Sequence, residues 1–402
     1  MARSEILVGV EVGTNKVCFV VAESQSDQDL HILGVGMVSS KGVRKGEIID
    51  LETATVCVHD ALRQAETNCG VGIQEVSVAV TGGHVGSFNS RGAVTIPKER
   101  LEIEEQDLNE VAIKAKEVSL PAESTFLHSI VQHYYVDGAA GVINPVGMVG
   151  RRLEAEFHII HGMRTRLQNT LRVIDDCGLQ IRHVVVNSLA SSQAVLDEDQ
   201  KDLGVLLLDI GGGVTDWIVY VDGLIKASGV LAVGGDHISN DISLGLRIPL
   251  TRAEKLKVEE GSALCGVGKP GEVIVLKNDA GFSGREIERE MLNLIINARV
   301  KEIFNLVRKS VEKEVELERL RTGVLLTGGC SLLPGICEIA SSVFEVPAHQ
   351  AHETKAAGPK SLLSNPQLST AIGVVKFAQD RLMEEQPTSF WEWIFGRLLG
   401  KR

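Results

Sequence analysis

The chain has 402 residues, of which 44% are hydrophobic, and a formal net charge of −12 at pH 7. A chain of this length can bury a sizeable core and is expected to form two or more domains. The negative charge disfavours nucleic acid as a main partner, because nucleic-acid backbones carry the same sign. The seven cysteines lack the spacing of a metal-binding clip, which indicates reduced thiols in a cytosolic protein.

Residues 1–83 predict a first domain core of three strands, a helix and a fourth strand. "EILVGVEVGTNKVCFVVAE" is typical of two strands joined by a glycine turn, and "HILGVGMVSS" continues as a third strand. "LETATVCVHDALRQAE" places apolar residues at helical spacing before the short strand "EVSVAVTGG". This β-β-β-α-β order differs from a Rossmann unit, in which strands and helices alternate.

Residues 84–163 predict a small α+β subdomain inserted into this core. "IPKERLEIEEQDLNEVAIKAKEV" indicates a helix, "HSIVQHYYVDG" a strand, and "NPVGMVGRRLEAEFHIIHG" a loop and a long strand. Residues 164–190 return to the first core with a helix that ends near Gly178, followed by a strand.

A second strand–turn–strand–strand pattern, "GVLLLDIGGGVTDWIVYVDGLIKASGVLAVGG", repeats the architecture near the N-terminus. We assign residues 191–240 and 320–371 to this second core. Residues 241–319 form its outer part, with two helices and a long helical stretch that begins at Arg285. Residues 372–383 predict a closing helix that belongs to the first core.

Glycine-rich turns predict a polyphosphate site between the two cores, because backbone amides without a nearby Cβ can approach an anion closely. The second core offers Gly211, Gly212, Gly213 and the Thr215 hydroxyl; the first offers Gly13, Thr14, Asn15 and Lys16. Asp209 and Asp216 would repel phosphate directly, but they suit a hydrated Mg²⁺. Taken alone, the triple glycine is equally consistent with a tight hairpin and two solvated carboxylates.

Two further features fit a nucleotide. In "LLTGGCSLLPG", Gly328 and Gly329 would let the backbone lie against a flat ring. Glu254 and Lys257 stand three residues apart, on one face of a predicted helix. Taken alone, the turn predicts only a strand–helix junction and the pair only a surface ion pair.

The order of these features resembles the actin, heat-shock chaperone and sugar-kinase superfamily and, within it, the FtsA family of bacterial cell-division proteins. The supporting stretches are "SKGVRKGEIIDLE", "NPVGMVGRRLEAEFHII", "SLASSQAVL", "LGVLLLDIGGGVTD" and "GVLLTGGCSLLPG". The resemblance covers nearly the whole chain. It implies an α/β, actin-like two-domain fold with a duplicated ribonuclease-H-like β-β-β-α-β-α core, an FtsA-type insert and a C-terminal amphipathic helix.

The resemblance also implies ATP and Mg²⁺ as cofactors. It assigns the phosphates to Gly13, Thr14, Asn15 and Lys16 on one side and to Gly211, Gly212, Gly213 and Thr215 on the other. It assigns the adenosine to Gly328 and Gly329, with the ribose or purine near Glu254 and Lys257. Asp209 and Asp216 would hold water on Mg²⁺ or orient the attacking water. Glu11 stands where the superfamily usually has Asp, which predicts weak hydrolysis at most, with ATP binding retained.

The C-terminal residues predict a linker at 384–388 and a membrane-targeting amphipathic helix at 389–402. The apolar side chains share one helical face, apart from Trp393 on the polar side and Leu399 at its border, and three cations outweigh one Glu. This composition is typical of a helix in the headgroup region of an anionic membrane. The residues predicted to contact lipid are Phe390, Trp391, Trp393, Ile394, Phe395, Arg397, Leu398, Lys401 and Arg402. The alternative is a helix docked on the protein's own core.

Together with these features, the resemblance implies an ATP-binding actin homologue that self-associates on the cytoplasmic side of the cell membrane and anchors FtsZ filaments at the division site. The resemblance implies that residues 241–319 bind the C-terminal tail of FtsZ. It also implies that the insert contacts later division proteins and further copies of the chain. A PilM-like pilus-assembly protein is one alternative. A small-molecule kinase is another, although a kinase needs a general base that "VVVNSLASSQAVL" lacks.

Overall fold

The computed structural model describes residues 5–24, 30–100, 102–269, 271–276, 284–352 and 356–385. The predicted membrane helix at 389–402 lies outside these ranges. Within them, no helix combines the length and the apolar character that crossing a membrane requires.

The first core contains a five-stranded sheet that helices cover on both faces. It begins with β1 (Glu5–Val12), β2 (Lys16–Ser24), β3 (Leu30–Ser39), β4 (Val43–Arg44), β5 (Glu47–Ile48), α1 (Leu51–Cys69) and β6 (Glu75–Val80). The inserted subdomain follows, with β7 (Gly86–Thr95), α2 (Glu105–Ala115), β8 (Ser124–Val136), β9 (Ala139–Val142) and β10 (Arg152–Met163). The chain returns to the first core with α3 (Arg164–Asp175) and β11 (Gln180–Val186).

The second core and its outer part occupy the rest of the chain. The connecting helices and first strands are α4 (Asn187–Val195), α5 (Glu198–Leu203), β12 (Val205–Ile210), β13 (Thr215–Val221) and β14 (Leu224–Leu231). The outer part contains α6 (Gly235–Leu246), α7 (Leu250–Glu260), β15 (Val273–Leu276), β16 (Arg285–Glu288) and α8 (Arg289–Val311). The chain continues with β17 (Gly323–Thr327), α9 (Ile336–Phe344), β18 (Ala348–Gln350), α10 (Lys360–Leu363) and α11 (Ser369–Glu385).

The two core sheets have the same topology, which confirms the predicted duplication. The first is ordered β11-β6-β1-β2-β3 and the second β14-β13-β12-β17-β18. In each sheet, the first three strands in chain order pair antiparallel. The fourth strand pairs parallel with the first, and the fifth pairs parallel with the fourth. The insert has its own antiparallel sheet, β7-β10-β8-β9.

Helices α4 and α11 lie side by side between the two core sheets. Helix α11 packs on β1, β2 and β6, and α4 packs on β12 and β13. Gly373 of α11 allows the close approach, because a Cβ at this position would overlap the carbonyl oxygen of Ala190 in α4. The two core sheets are therefore joined through two helices in backbone contact.

The long helical stretch predicted from Arg285 begins later than expected. Residues Arg285–Glu288 form β16, which pairs antiparallel with β15, and the helix begins at Arg289. Ile274 and Ile287 face each other in this pairing and are both buried in the core of the outer part. The charged residues around Ile287 are compatible with a helix. They form a strand here because β15 pairs with them, and that partner is not visible in the local sequence pattern.

The insert docks on the edge of the second core through polar contacts. Ser87 Oγ donates to the carbonyl oxygen of Ser228 at 2.7 Å, and Asn89 Nδ2 donates to that of Lys226 at 3.0 Å. His158 is buried between Asn89 Oδ1 and Ser228 Oγ, 2.8 Å from each. Because Asn89 presents its oxygen, Nδ1 of His158 carries the hydrogen and Nε2 accepts from Ser228. Side chains of β7 and β10 thus form hydrogen bonds with polar groups along the edge of β14.

We expect this contact to make the stability of the protein sensitive to acid. Burial, together with nearby His128, lowers the pKa of His158 to about 4, whereas a histidine in an unfolded chain titrates near about 6.5. The unfolded chain binds more protons between these values, so the free energy of unfolding falls as the pH falls through this window. His158→Gln keeps polar atoms at the site without titrating. It should reduce the loss of stability between pH 7 and pH 5 by about 2 kcal/mol.

Urea unfolding of the parent and the variant at both pH values measures this difference. Burial, with a smaller contribution from Arg381, also lowers the pKa of His128 to about 4. Because both proteins contain His128, the difference between their pH dependences reports on His158. Equal pH dependence in the two proteins would show that His158 is not a source of the acid sensitivity.

Candidate functional site

A cleft of about 340 Å³ lies between the two cores and collects most of the predicted site residues. This volume falls in the range of small-molecule sites. The predicted residues that line it are Glu11, Gly13, Thr14, Asn15, Lys16, Asp209, Gly211, Gly212, Gly213, Asp216, Glu254, Lys257 and Gly329. Residues far apart in the sequence therefore meet at one place.

The two glycine turns face each other across this cleft. A Cβ on Gly212 would stand 2.5 Å from the side chain of Asn15, and one on Gly213 would overlap the Thr14 hydroxyl. Asn15 Nδ2 also donates to Asp236 Oδ1 of the second core at 2.8 Å. Only glycine allows the turns to approach so closely. The amides of Gly13 and Gly211 close their own turns by donating to the carbonyl oxygens of Lys16 and Val214, at 2.9 Å each, so a bound anion would pair with the amides between them.

Two aspartates are buried at the base of the second turn. Asp209 Oδ2 accepts from Ser191 Oγ at 2.5 Å and from Thr370 Oγ1 at 2.7 Å. Asp216 Oδ1 accepts from Thr81 Oγ1 at 2.5 Å. Burial raises the pKa of Asp216 well above its ordinary value, and the negative charge of Asp209 raises it further.

Glu11 adds a third carboxylate and is bonded to Lys16 across the first turn. Burial raises the pKa of Glu11; Lys16 opposes this effect, and Asp209 adds to it. The carboxylates therefore repel one another in a poorly solvated place, and a divalent cation would relieve that repulsion. In the part of the chain that the structure describes, no three His, Cys, Asp or Glu side chains are grouped to bind a metal directly. The arrangement suits a Mg²⁺ ion held largely through its own water molecules.

The opposite end of the cleft is formed by α6, α7 and the turn after β17. Lys257 Nζ donates to Glu254 Oε2 at 2.7 Å and to the carbonyl oxygen of Gly235 at 3.1 Å, and Ser239 also bonds to Glu254. Lys257 is buried, so this pair is part of the cleft wall rather than a solvated ion pair. A Cβ on Gly329 would have no neighbour nearer than 3.8 Å, which leaves room for a flat group.

Two predicted residues do not line the cleft. Thr215 is fully buried, and its hydroxyl donates to the carbonyl oxygen of Val233 at 2.8 Å, so the structure does not bring it to the predicted phosphate position. Gly328 has a φ of 81°, and a Cβ there would overlap Asp209. Its role in this structure is to let the turn after β17 approach Asp209, whereas Gly329 faces the cleft.

The sequence analysis missed several residues that line the cleft. Thr81 and Asn187 follow β6 and β11 directly, and Gly46 lies in the β4–β5 turn, where its amide donates to Thr14 Oγ1 at 3.0 Å. Gly235 and Gln367 also contribute. Positions just after parallel strands are a known signal for ligand contacts. That signal could have identified Thr81 and Asn187.

Comparisons with protein families identify two regions of the chain. Residues 206–373 match the family model described as "Cell division protein FtsA", and residues 82–161 match the "SHS2 domain inserted in FTSA". Cell division protein FtsA of Neisseria meningitidis serogroup B is 36% identical over 370 residues, covering 92% of this chain and 89% of that protein. The protein of the same name from Escherichia coli K12 is 33% identical over 383 residues, covering 94% and 91%.

Solved structures confirm the predicted actin-like fold. A type IV pilus PilM–PilN complex chain has a TM-score of 0.63 at 14% identity, covering 95% of this chain and 99% of that one. MreB5 of Spiroplasma citri, solved with bound ADP, has a TM-score of 0.56 at 16% identity, covering 96% and 99%. At these identities the likeness concerns the fold alone, and the family follows from the much closer sequence relatives.

Proposed function

The chain belongs to the FtsA family of cell-division proteins, and from that premise we propose that it binds ATP with Mg²⁺ in the cleft between its two cores. The observation that carries the proposal is the opposition of two glycine turns above buried carboxylates. The amides at the tips of both turns, between Gly13 and Lys16 and between Gly211 and Val214, would bind the phosphates together with the ammonium group of Lys16. Asp209, Asp216 and Glu11 would orient water on the metal.

The other end of the cleft suits an adenosine. Glu254 presents a partly exposed carboxylate that can accept from ribose hydroxyls, and Lys257 fixes its position. The open face of Gly329 can lie against the purine. Thr215 has no direct part in this proposal, because its hydroxyl is already engaged.

We further propose that the bound chain self-associates on the cytoplasmic side of the cell membrane and anchors FtsZ filaments at the division site. In this proposal, the insert and the outer part of the second core carry the partner contacts. The outer part at 241–319 would bind the FtsZ tail, and exposed apolar side chains on its helices support this: Leu244, Leu250, Met291 and Leu294. The insert at 84–163 would contact further copies and later division proteins.

The two alternative functions each lack a specific supporting feature. A kinase would need an acid near its acceptor, and α4 carries only apolar, amide and hydroxyl side chains between Asn187 and Val195. A PilM-like role has support from the fold likeness only, whereas the sequence relatives are cell-division proteins. Sugar-dependent consumption of ATP would favour the kinase.

Membrane anchoring is tested with the C-terminal segment. We expect the full chain to sediment with vesicles that contain anionic lipid and a chain without residues 388–402 to stay in the supernatant. Ile394→Glu should weaken vesicle binding at least about tenfold, because it removes an apolar anchor and adds a negative charge. Gly396→Glu adds the same charge on the polar face and is the matched control.

The same sedimentation assay, with ATP and an FtsZ tail peptide, tests the remaining partners. The peptide should sediment with vesicles only when the full chain is present. Persistent vesicle binding by the truncated chain would show that residues 388–402 are not the membrane anchor. The proposed ATP site would not be affected by that result.

A further inference from the structure

A hydrogen bond between two exposed side chains joins the cores at the mouth of the cleft. Asn15, in the turn after β1, donates from Nδ2 to Oδ1 of Asp236 at 2.8 Å. Asp236 lies in the first turn of α6. A second bond between the cores, from Thr81 to Asp216, is buried. The cores are therefore joined once in the interior and once at the exposed side of the cleft.

The backbone holds both partners of the exposed bond in place. The amide of Asp236 donates to the carbonyl oxygen of Gly212 at 2.8 Å, which ties Asp236 to the second glycine turn. The carbonyl oxygen of Asn15 accepts from the amide of Ser40 at 3.1 Å, which ties the first turn to the end of β3. The carboxamide of Asn15 therefore crosses from the tip of one turn to the tip of the other.

The amides at these two tips are the proposed phosphate contacts, so the bond spans the place where the phosphates would bind. A triphosphate that enters or leaves has to part the tips, and the exposed bond then breaks. We propose that Asp236 is a positioning residue that holds Asn15 across the phosphate site and thereby limits the rates of nucleotide entry and release. We call this bond the Asn15–Asp236 latch. The inference rests on the proposed binding of ATP.

The latch has a kinetic signature of its own, because it joins two protein side chains and includes no ligand atom. It contributes the same free energy whether or not a nucleotide is bound, and such a contact does not shift the binding equilibrium. Removing the latch should therefore raise the rates of entry and release together and leave the Kd nearly unchanged. A side chain that binds phosphate directly would instead change the Kd.

Two substitutions at one position separate the hydrogen bond from the charge. Asp236→Ala removes the acceptor, whereas Asp236→Asn keeps a carboxamide oxygen that can accept from Asn15. Both substitutions remove the negative charge and its repulsion of phosphate, so the difference between them reports on the hydrogen bond. Asp199→Ala is the matched control, because Asp199 is an exposed residue in the first turn of α5, as Asp236 is in the first turn of α6.

Stopped-flow mixing of the full chain with a fluorescent ATP analogue and Mg²⁺ measures entry, and displacement by unlabelled ATP measures release. Both rates should be about fivefold higher in Asp236→Ala than in Asp236→Asn, which is the effect expected of one hydrogen bond. The Kd values of the two variants should agree within about twofold. Asp199→Ala should bind and release the analogue as the parent does.

Three results would overturn the latch. The first is equal rates in Asp236→Ala and Asp236→Asn, and the second is a Kd that differs between them while the entry rate does not. The third is a lower resistance of Asp236→Ala to urea with no change in either rate, because Asp236 would then serve the fold alone. A parent protein that binds no ATP would instead overturn the proposed function, so the two failures are distinguishable.

Discussion

Gly212→Asp is expected to lower the affinity for ATP at least about 100-fold, which corresponds to about 2.7 kcal/mol. The new Cβ would stand 2.5 Å from Asn15 and force the two turns apart. The added carboxylate would also face the phosphates, and like charges about 4 Å apart repel by about 4 kcal/mol near a protein surface. Equilibrium titration with ATP and Mg²⁺ measures the loss.

Gly72→Asp is the control with the same chemical change. Gly72 lies in the loop after α1, and a Cβ there would have no neighbour within 4 Å. This variant should bind ATP as the parent does and should unfold at the parent's urea concentration. If Gly212→Asp retained the parent affinity, the second turn would not bind the phosphates.

The architecture of both cores could be predicted from the sequence because it depends on local patterns. The apolar runs of β1, β2, β12 and β13 and the glycines between them indicate hairpins without any knowledge of tertiary contacts. The repetition of this pattern then predicts two similar cores. The order of the motifs along the chain, rather than any single motif, predicts that the two glycine turns meet in one cleft.

Residues whose role depends on distant partners could not be predicted in the same way. Nothing in the local sequence distinguishes Thr81 and Ser191 from other polar residues. Only the fold brings their hydroxyls into hydrogen bonds with Asp216 and Asp209. The docking of His158 on Ser228 joins residues 70 positions apart, in separate sheets. Thr215 matched the pattern of a phosphate-binding hydroxyl, but the nearby carbonyl oxygen of Val233 competes for it. Local pattern predicts which elements form, and packing decides where their side chains point.

Gly373→Ala is expected to lower the free energy of unfolding by at least about 2 kcal/mol, although alanine favours helices by about 1 kcal/mol over glycine. Its Cβ would overlap the Ala190 carbonyl oxygen, and backbone atoms cannot rotate away as a side chain can. Gly245→Ala in α6 is the control, because its Cβ would meet only the flexible end of Ile295, at 2.7 Å. That variant should keep or gain stability.

Gly373→Ala should also affect the cleft, because Ser191 of α4 and Thr370 of α11 both donate to Asp209. Separating the two helices would withdraw at least one of these hydroxyls and leave Asp209 less well fixed. We therefore expect Gly373→Ala to weaken ATP binding at a temperature where the protein is still folded, and Gly245→Ala to leave it unchanged. Urea unfolding and ATP titration of both variants measure the two effects. A destabilised Gly373→Ala protein with full ATP affinity would show that the helix contact supports the fold without organising the site.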